Sequence, residues 1–256
     1  MSKAPAVDYA IKILELFSST TKELGISDIS NQTGINKNAV SRIIDALVEK
    51  NWIYCIDDLS KKYSITARPF SLFAKHFGET ELSRIAAPLL DELHATLGDT
   101  VYVGVKSLDK VLYVLHKEST KVVRISAMTG GTYPLHSTAP GKILLANSDD
   151  EYIEKYYSTL TDDLGTANSI RSDKDFIEEK KKIISDGFAI DNEEFAKGIV
   201  CISVPIYDAS NKVVASLGLS SLTIYDSPET LVKQKLPHLK NTAEKISALL
   251  GQIKIK

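Results

Sequence analysis

The stretch from Gly25 to Lys62, GISDISNQTGINKNAVSRIIDALVEKNWIYCIDDLSKK, constrains the fold more than any other part of the chain. Ser27 is placed to cap a short helix from Asp28 to Thr33, and Gly34 breaks it. Asn36 then caps a second helix running to about Lys50. On that helix Val40, Ile43, Ile44 and Leu47 recur at three- and four-residue spacing, which makes one apolar stripe. At about 100° per residue, Asn38, Arg42, Asp45 and Glu49 point the other way, with Ser41 on the flank. A β-prone segment, Trp52 to Ile56, is followed by the turn Asp57-Asp58-Leu59-Ser60, by Lys61 and Lys62, and by a second β-prone segment, Tyr63 to Ile65. Helix, glycine turn, helix and hairpin make the pattern of a winged helix-turn-helix.

Such a unit reads DNA with the N-terminal residues of its second helix. The exposed start of that helix carries Asn36, Lys37, Asn38, Ser41 and Arg42, side chains that donate to base edges and phosphates. Its acids, Asp45 and Glu49, come late and point away from a duplex. The expected contacts are Asn38, Ser41 and Arg42 on bases and Lys37 and Ser27 on phosphates. Lys61 and Lys62 are expected at the wing tip. The positive end of the helix favours phosphate nearby.

Charge refines the reading. The chain of 256 residues carries a net charge of −2, which argues against bulk coating of nucleic acid. Residues 1–75 hold 10 Lys/Arg against 8 Asp/Glu. So small an excess binds phosphate weakly in one copy, because affinity rests on counterion release, and doubling the contacts in a dimer favours an oligomeric binder. The N-terminus has no long apolar core and no signal-peptide pattern. No apolar run approaches the roughly 20 residues that span a bilayer. The two cysteines, Cys55 and Cys201, match no metal or redox spacing, and a reduced cytoplasm is the expected compartment.

An opening helix is expected over about Ala6 to Phe17, with Val7, Ala10, Ile11, Leu14 and Phe17 as its apolar face. Periodicity predicts a linker helix within residues 67–79, with Phe70, Phe73, Ala74 and Phe77 on one side and Gly78 ending it. The expected division is therefore a DNA-binding domain over 1–66, the linker over 67–79 and a second domain over 80–256. The second domain opens with a helix from about Glu81 to Leu97. Strands follow at Thr100–Val105, Val111–His116 and Val122–Ala127. The run TYPLHSTAPGKILLA comes next, with a helix beginning near Pro140. A helix over Asp173–Ser185, strands at Val200–Tyr207 and Val213–Leu219, and a helix over about Thr230–Leu250 complete an α+β architecture.

With both halves laid out, the chain resembles the IclR family of bacterial transcription regulators. The pattern Gly-Leu-x-Lys-Ser-Thr-Val-x-Arg-Leu-Leu is echoed by the eleven residues from Gly34 to Ile44, with Asn38 and Ala39 where Ser and Thr are usual. In the second half, Pro134 to Lys142 (PLHSTAPGK), Gly187 to Glu194 (GFAIDNEE) and Gly198 to Ile206 (GIVCISVPI) match the family's other signatures in order. The match runs from about Val7 to Leu249.

The resemblance implies a winged-helix domain joined by a linker helix to a GAF-like effector domain. It implies a homodimer formed through the DNA-binding region, pairing into a tetramer through the effector domains. It also implies a small carboxylate effector that controls operator binding, with repression of a catabolic operon as the expected outcome. By the same resemblance the effector is lined by Ala139, Pro140, Asp191, Cys201 and Ser220, with apolar walls from Val122, Tyr133 and Ile199. Pro140 has no N–H, which leaves Gly141 and Lys142 as the amide donors of the helix start. Gly218, where relatives carry a hydroxyl, is expected to leave the site roomier.

No cofactor or metal is expected, since His94, His116 and His136 lie far apart on different elements. Two other classes compete. A Cys201, His136 and Asp191 hydrolase would leave the helix-turn-helix unexplained and lacks a nucleophile elbow. A winged helix that docks protein alone would be insensitive to loss of Arg42 in DNA binding. The chain is therefore expected to be a regulator and no enzyme.

Overall fold

The computed structural model describes residues 4–20, 22–57, 61–69, 81–126, 129–160 and 165–252. The chain divides into two compact units, Met1–His76 and Phe77–Lys256. The expected linker residues Phe70, Phe73, Ala74, Phe77 and Gly78 lie outside the described residues, as do Asp58, Leu59 and Ser60 of the turn and Ala127.

The first unit contains α1 (Pro5–Ser18), β1 (Leu24–Gly25), α2 (Ile26–Thr33), α3 (Lys37–Glu49), β2 (Ile53–Asp57) and β3 (Lys62–Ile65). Its small sheet is antiparallel in the order β1-β3-β2. Val40 and Ile44 of α3 are fully buried with Ile13 and Phe17 of α1, Ile29 of α2, and Ile53 and Tyr63 of the hairpin. Asn36 caps α3 as expected, its side chain accepting from the Ala39 N–H at 2.9 Å. Ser27 does not cap α2. The helix starts two residues earlier, and the cap position is Gly25, whose N–H donates to Asp28 Oδ2 at 2.9 Å. The carboxylate reaching back from the first turn replaces the missing cap side chain. The buried face of α1 is also turned from the expected one. Ile13 and Phe17 carry it, while Val7 is 56% exposed and Ile11 is 50% exposed.

The second unit is built on a six-stranded sheet in the order β6-β5-β4-β9-β8-β7, every pairing antiparallel. Its strands are β4 (Thr100–Ser107), β5 (Lys110–Lys117), β6 (Thr132–Pro134), β7 (Ala189–Asn192), β8 (Ile199–Tyr207) and β9 (Val213–Leu222). Alternation along the strands gives the two faces different characters. Val101, Val103, Val200, Ile202, Val204, Leu217 and Leu219 face α4 (Glu81–Leu97) and α9 (Leu236–Leu249) in a purely aliphatic core. A short α8 (Pro228–Thr230) runs through a π-helical turn, Leu231–Lys235, into α9.

The opposite face carries Tyr102, Tyr113, Asp191, Cys201, Ser203, Ser216, Gly218 and Ser220. It is covered by α5 (Ala139–Ala146), with α6 (Asp150–Ser158) and α7 (Asp173–Asp186) outside it. All eight residues of α5 are buried. Gly141 is required where α5 crosses the preceding chain, because a Cβ there would meet the backbone of Pro134 and Leu135 at under 3 Å.

The strand expected over Val122–Ala127 is absent among its described residues. Both edges of β4 are already taken by β5 and β9. The segment from Ser119 to Ser126 is instead an irregular strap tied to the end of α4 and the start of β4. Ser119 Oγ donates to Gly98 O at 2.7 Å, the Thr120 N–H to the same carbonyl at 3.1 Å, and Thr100 Oγ1 to Ile125 O at 3.3 Å.

Candidate functional site

In the first unit Asn36, Lys37, Asn38 and Arg42 are exposed along the leading half of α3, with Ser41 half-buried beside them. Ser27 is exposed on α2. Lys61 is exposed where the chain re-enters the hairpin. Lys62 is not at the tip. It is the first residue of β3 and pairs with Asp28 at 3.2 Å, so its ammonium is directed toward α2. The Gly25 N–H, and after it Lys62, hold the Asp28 carboxyl below its ordinary range.

In the second unit a cavity of about 80 Å³ lies between the polar face of the sheet, the start of α5 and the strap. Asp191, Cys201 and Ser220 form one row across its floor. They are direct cross-strand partners on β7, β8 and β9. Cys201 Sγ and Ser220 Oγ are 3.0 Å apart, and Ser220 Oγ donates to Tyr102 Oη at 3.1 Å. Tyr102 and Tyr113 stack with ring centroids 4.3 Å apart, and Tyr133 tilts against Tyr113 at 4.4 Å. The edge of Phe195 closes this aromatic wall. Ile125 and Ser126 of the strap, Thr138 and Ile199 complete the lining.

Of the residues expected at the effector, Tyr133, Asp191, Ile199, Cys201 and Ser220 meet here. Val122 does not: it is 93% exposed on the strap, because the strand that would have turned it inward is absent. Ala139, Pro140 and Gly141 are buried in the first turn of α5, and the lining stops at Thr138, the helix cap. The expected amide donors are already used. The Gly141 N–H donates to Thr138 Oγ1 at 3.2 Å and that of Lys142 to Thr138 O at 2.8 Å. Gly218 does not widen the site, because the ring of Tyr102 fills the space above it. Tyr102, Tyr113, Thr138, Ile125, Ser126 and Phe195 line the cavity as well, beyond the positions the resemblance implies. Period-two alternation alone places Tyr102 and Gly104 on one face of β4, but only the pairing register brings that face to the site.

Among the described residues the cavity has no free cation in its lining. Lys142 is 2% exposed, and its ammonium donates to Ile190 O at 2.8 Å, Glu194 Oε1 at 2.8 Å and Glu179 Oε1 at 3.0 Å. Three donors meet three acceptors. Asp191 Oδ1 accepts the N–H groups of Glu194 at 2.7 Å and Phe195 at 3.2 Å. Its Oδ2 is buried and accepts no N–H or O–H hydrogen bond among the described residues, leaving the Cys201 thiol as a weak neighbouring donor to the carboxyl. Burial raises the Asp191 carboxyl to about 6, against the pull of those two N–H groups, the neighbouring Cys201 thiol and Lys142. Burial likewise raises Glu194 to about 7, with Lys142 opposing it. The Cys201 thiol is pushed well up by burial. A thiol held protonated is a poor nucleophile. The imidazole of His136 is engaged through Nδ1 with Tyr156 Oη at 2.9 Å. Among the described residues no group of His, Cys, Asp and Glu is placed to hold a metal ion, and no helix is long and apolar enough to cross a membrane.

Two family models match the chain. The IclR helix-turn-helix domain covers residues 6–54, and the bacterial transcriptional regulator IclR C-terminal domain covers residues 74–248. The HTH-type transcriptional regulator KdgR of Dickeya chrysanthemi is 30% identical over 230 residues, which span 90% of this chain and 75% of that protein. Thermotoga maritima IclR superposes with a TM-score of 0.79 at 24% identity, covering 96% of this chain and 99% of its own. An IclR homologue from Microbacterium hydrocarbonoxydans, solved with 4-hydroxybenzoate, gives a TM-score of 0.80 at 19% identity, over 96% of this chain and 98% of its own. With both of its units matched in order, this chain belongs to the IclR family of bacterial transcriptional regulators.

Proposed function

We propose that this protein represses a catabolic operon by binding operator DNA through α3 and releases it when a small carboxylate occupies the cavity of the second unit. Asn38, Ser41 and Arg42 read bases, while Lys37, Ser27 and Lys61 contact phosphates. Asn36 holds the helix start, and Lys62 acts through its pairing with Asp28. The observation that carries the effector half is the cavity itself. A concave space floored by Asp191, Cys201 and Ser220 and walled by Tyr102, Tyr113 and Tyr133 has the apolar body and few polar groups of a small-molecule site. The relative solved with 4-hydroxybenzoate supports including aromatic acids among the candidates. Ligand acts by favouring one of two dimer geometries, only one of which spans two half-sites.

A homodimer through the first unit is supported by α1, whose Val7 and Ile11 are exposed and which borders an open apolar groove with Ile43 and Leu47 of α3. Pairing of two dimers through the second units gives the tetramer.

The test combines two assays on the purified full chain. Melting temperature is followed against a panel of catabolic mono- and dicarboxylates, and retention of the chain's own upstream DNA is followed with the same compounds. A saturable rise in melting temperature together with loss of DNA binding is expected from one member of the panel. DNA binding that no panel member alters, in protein that no member stabilises, would remove the carboxylate effector.

A further inference from the structure

Asp191 poses a problem for any carboxylate ligand. It is fully buried, lines the cavity, and presents Oδ2 with no N–H or O–H partner among the described residues. Among the described residues no Lys, Arg or His lines the cavity. The charged and titratable groups around it come from every packed element. Lys142 on α5 is committed to Glu194, Glu179 and Ile190 O. Glu194 follows Asp191 in the β7–β8 connection and is itself acidic. Tyr113 on β5 and Cys201 on β8 are both held protonated by burial. Asp191 lines this cavity with Oδ2 unpaired by any N–H or O–H among the described residues, so a ligand carboxylate that faces it brings a second carboxyl to hydrogen-bond range. Two carboxylates that close, with no cation between them, cannot both be ionised.

We propose that Asp191 recognises its effector as a monocarboxylic acid through one shared proton, so that each binding event takes up a proton from solvent. The inference rests on the carboxylate reading of the cavity above. In the bound state one proton lies between Asp191 Oδ2 and a ligand carboxyl oxygen. No covalent bond forms or breaks, and a single negative charge remains on the pair. The rest of the ligand is surrounded by uncharged side chains, those of Ser220, Cys201 and the tyrosines. The arrangement selects against dicarboxylates and phosphate esters, which bring a second charge that nothing in the cavity neutralises. The raised carboxyl of Asp191 makes the proton available near neutral pH.

The experiment is isothermal titration calorimetry of the full chain with pyruvate, 4-hydroxybenzoate and succinate at pH 6, 7 and 8, each in two buffers of different ionisation enthalpy. The two monocarboxylates are ionised throughout, since their carboxyls titrate below about pH 5, and succinate is compared at pH 7 and 8, where both its carboxyls are ionised. For the monocarboxylate that binds, Kd should rise about tenfold between pH 7 and 8, with close to one proton taken up per site, and succinate should bind far more weakly. Asp191→Asn keeps the Oδ1 acceptor and supplies an N–H in place of the shared proton, so it should bind with a Kd independent of pH. A monocarboxylate bound by the wild-type chain with the same Kd from pH 6 to 8 overturns the shared proton and leaves the effector site standing. Binding of none of the three at any pH, while the alcohol analogue 4-hydroxybenzyl alcohol binds, overturns both the shared proton and the carboxylate reading.

Discussion

The ring of Tyr102 occupies the volume that a side chain at Gly218, its direct cross-strand partner, would fill. A Cβ at 218 would overlap that ring and Ser203 Oγ together. Beside the cavity this face of the sheet is therefore a matched pair: an aromatic on β4 and a bare backbone on β9. Gly218→Ala should cost about 1–3 kcal/mol through overpacking. Tyr102→Ala should cost several, roughly 3–5 kcal/mol for a buried aromatic. The double variant should cost less than the sum, by about 0.5–3 kcal/mol, because the second change fills what the first empties. Urea titrations of the four proteins give the coupling, and strict additivity would contradict the pairing.

Asp191 makes stability depend on pH in a definite direction. Its carboxyl is raised to about 6 from the ordinary 3.8. The folded chain then holds this proton more tightly than the unfolded chain. Its contribution is complete below about pH 4 and fades as pH rises through 6, a loss of roughly 3 kcal/mol in order of magnitude. Asp191→Asn should flatten that part of the melting profile between pH 4 and 7. An unchanged slope would show that Asp191 titrates normally in the fold.

Lys142 ties α5, α7 and the β7–β8 connection through one ammonium. Lys142→Met leaves Glu194 buried without its cation and should cost about 3–5 kcal/mol at neutral pH. The double change Lys142→Met with Glu194→Gln should recover part of that loss. Thermal denaturation at pH 7.5 distinguishes the two, and a single variant as stable as the parent would mean that water reaches the site.

Arg42 is exposed on α3 and makes no contribution to the buried core of its unit. Arg42→Ala should weaken operator binding by about 1–3 kcal/mol while leaving the melting temperature within a degree or two. Asn36→Ala should do the reverse, costing about 1 kcal/mol of stability through the lost cap. Fluorescence anisotropy with a labelled upstream duplex reads the first, and circular dichroism the second.

Local pattern explains what the chain discloses before folding. The Val40–Ile44 stripe and the Asn36 cap depend only on neighbours within a turn or two, and both are as their spacing implies. The cap of α2 was less accessible. A serine in the right place is a common signal, but here Asp28 reaches back to Gly25, two residues before it. The strap misleads for a different reason: Val122 to Ile125 looks like a strand, yet β4 has no free edge to pair with. The cavity is the least legible feature. Asp191, Cys201 and Ser220 become a row only through the registers of β7, β8 and β9, and Tyr102 joins them only because Gly218 lies opposite. Those are long-range pairings that no local periodicity encodes.

The complete burial of α5 has a further consequence, for which substitutions the domain can absorb. An ordinary surface helix has a solvent side on which residues drift freely. This one has none: from Ala139 to Ala146 every position abuts protein, and its lone charge is matched atom for atom. Any exchange in that octet must be answered by the sheet beneath or the helices above. The segment is thus the least editable stretch of the second unit, and a designer altering ligand preference gains more freedom from the strap than from the helix.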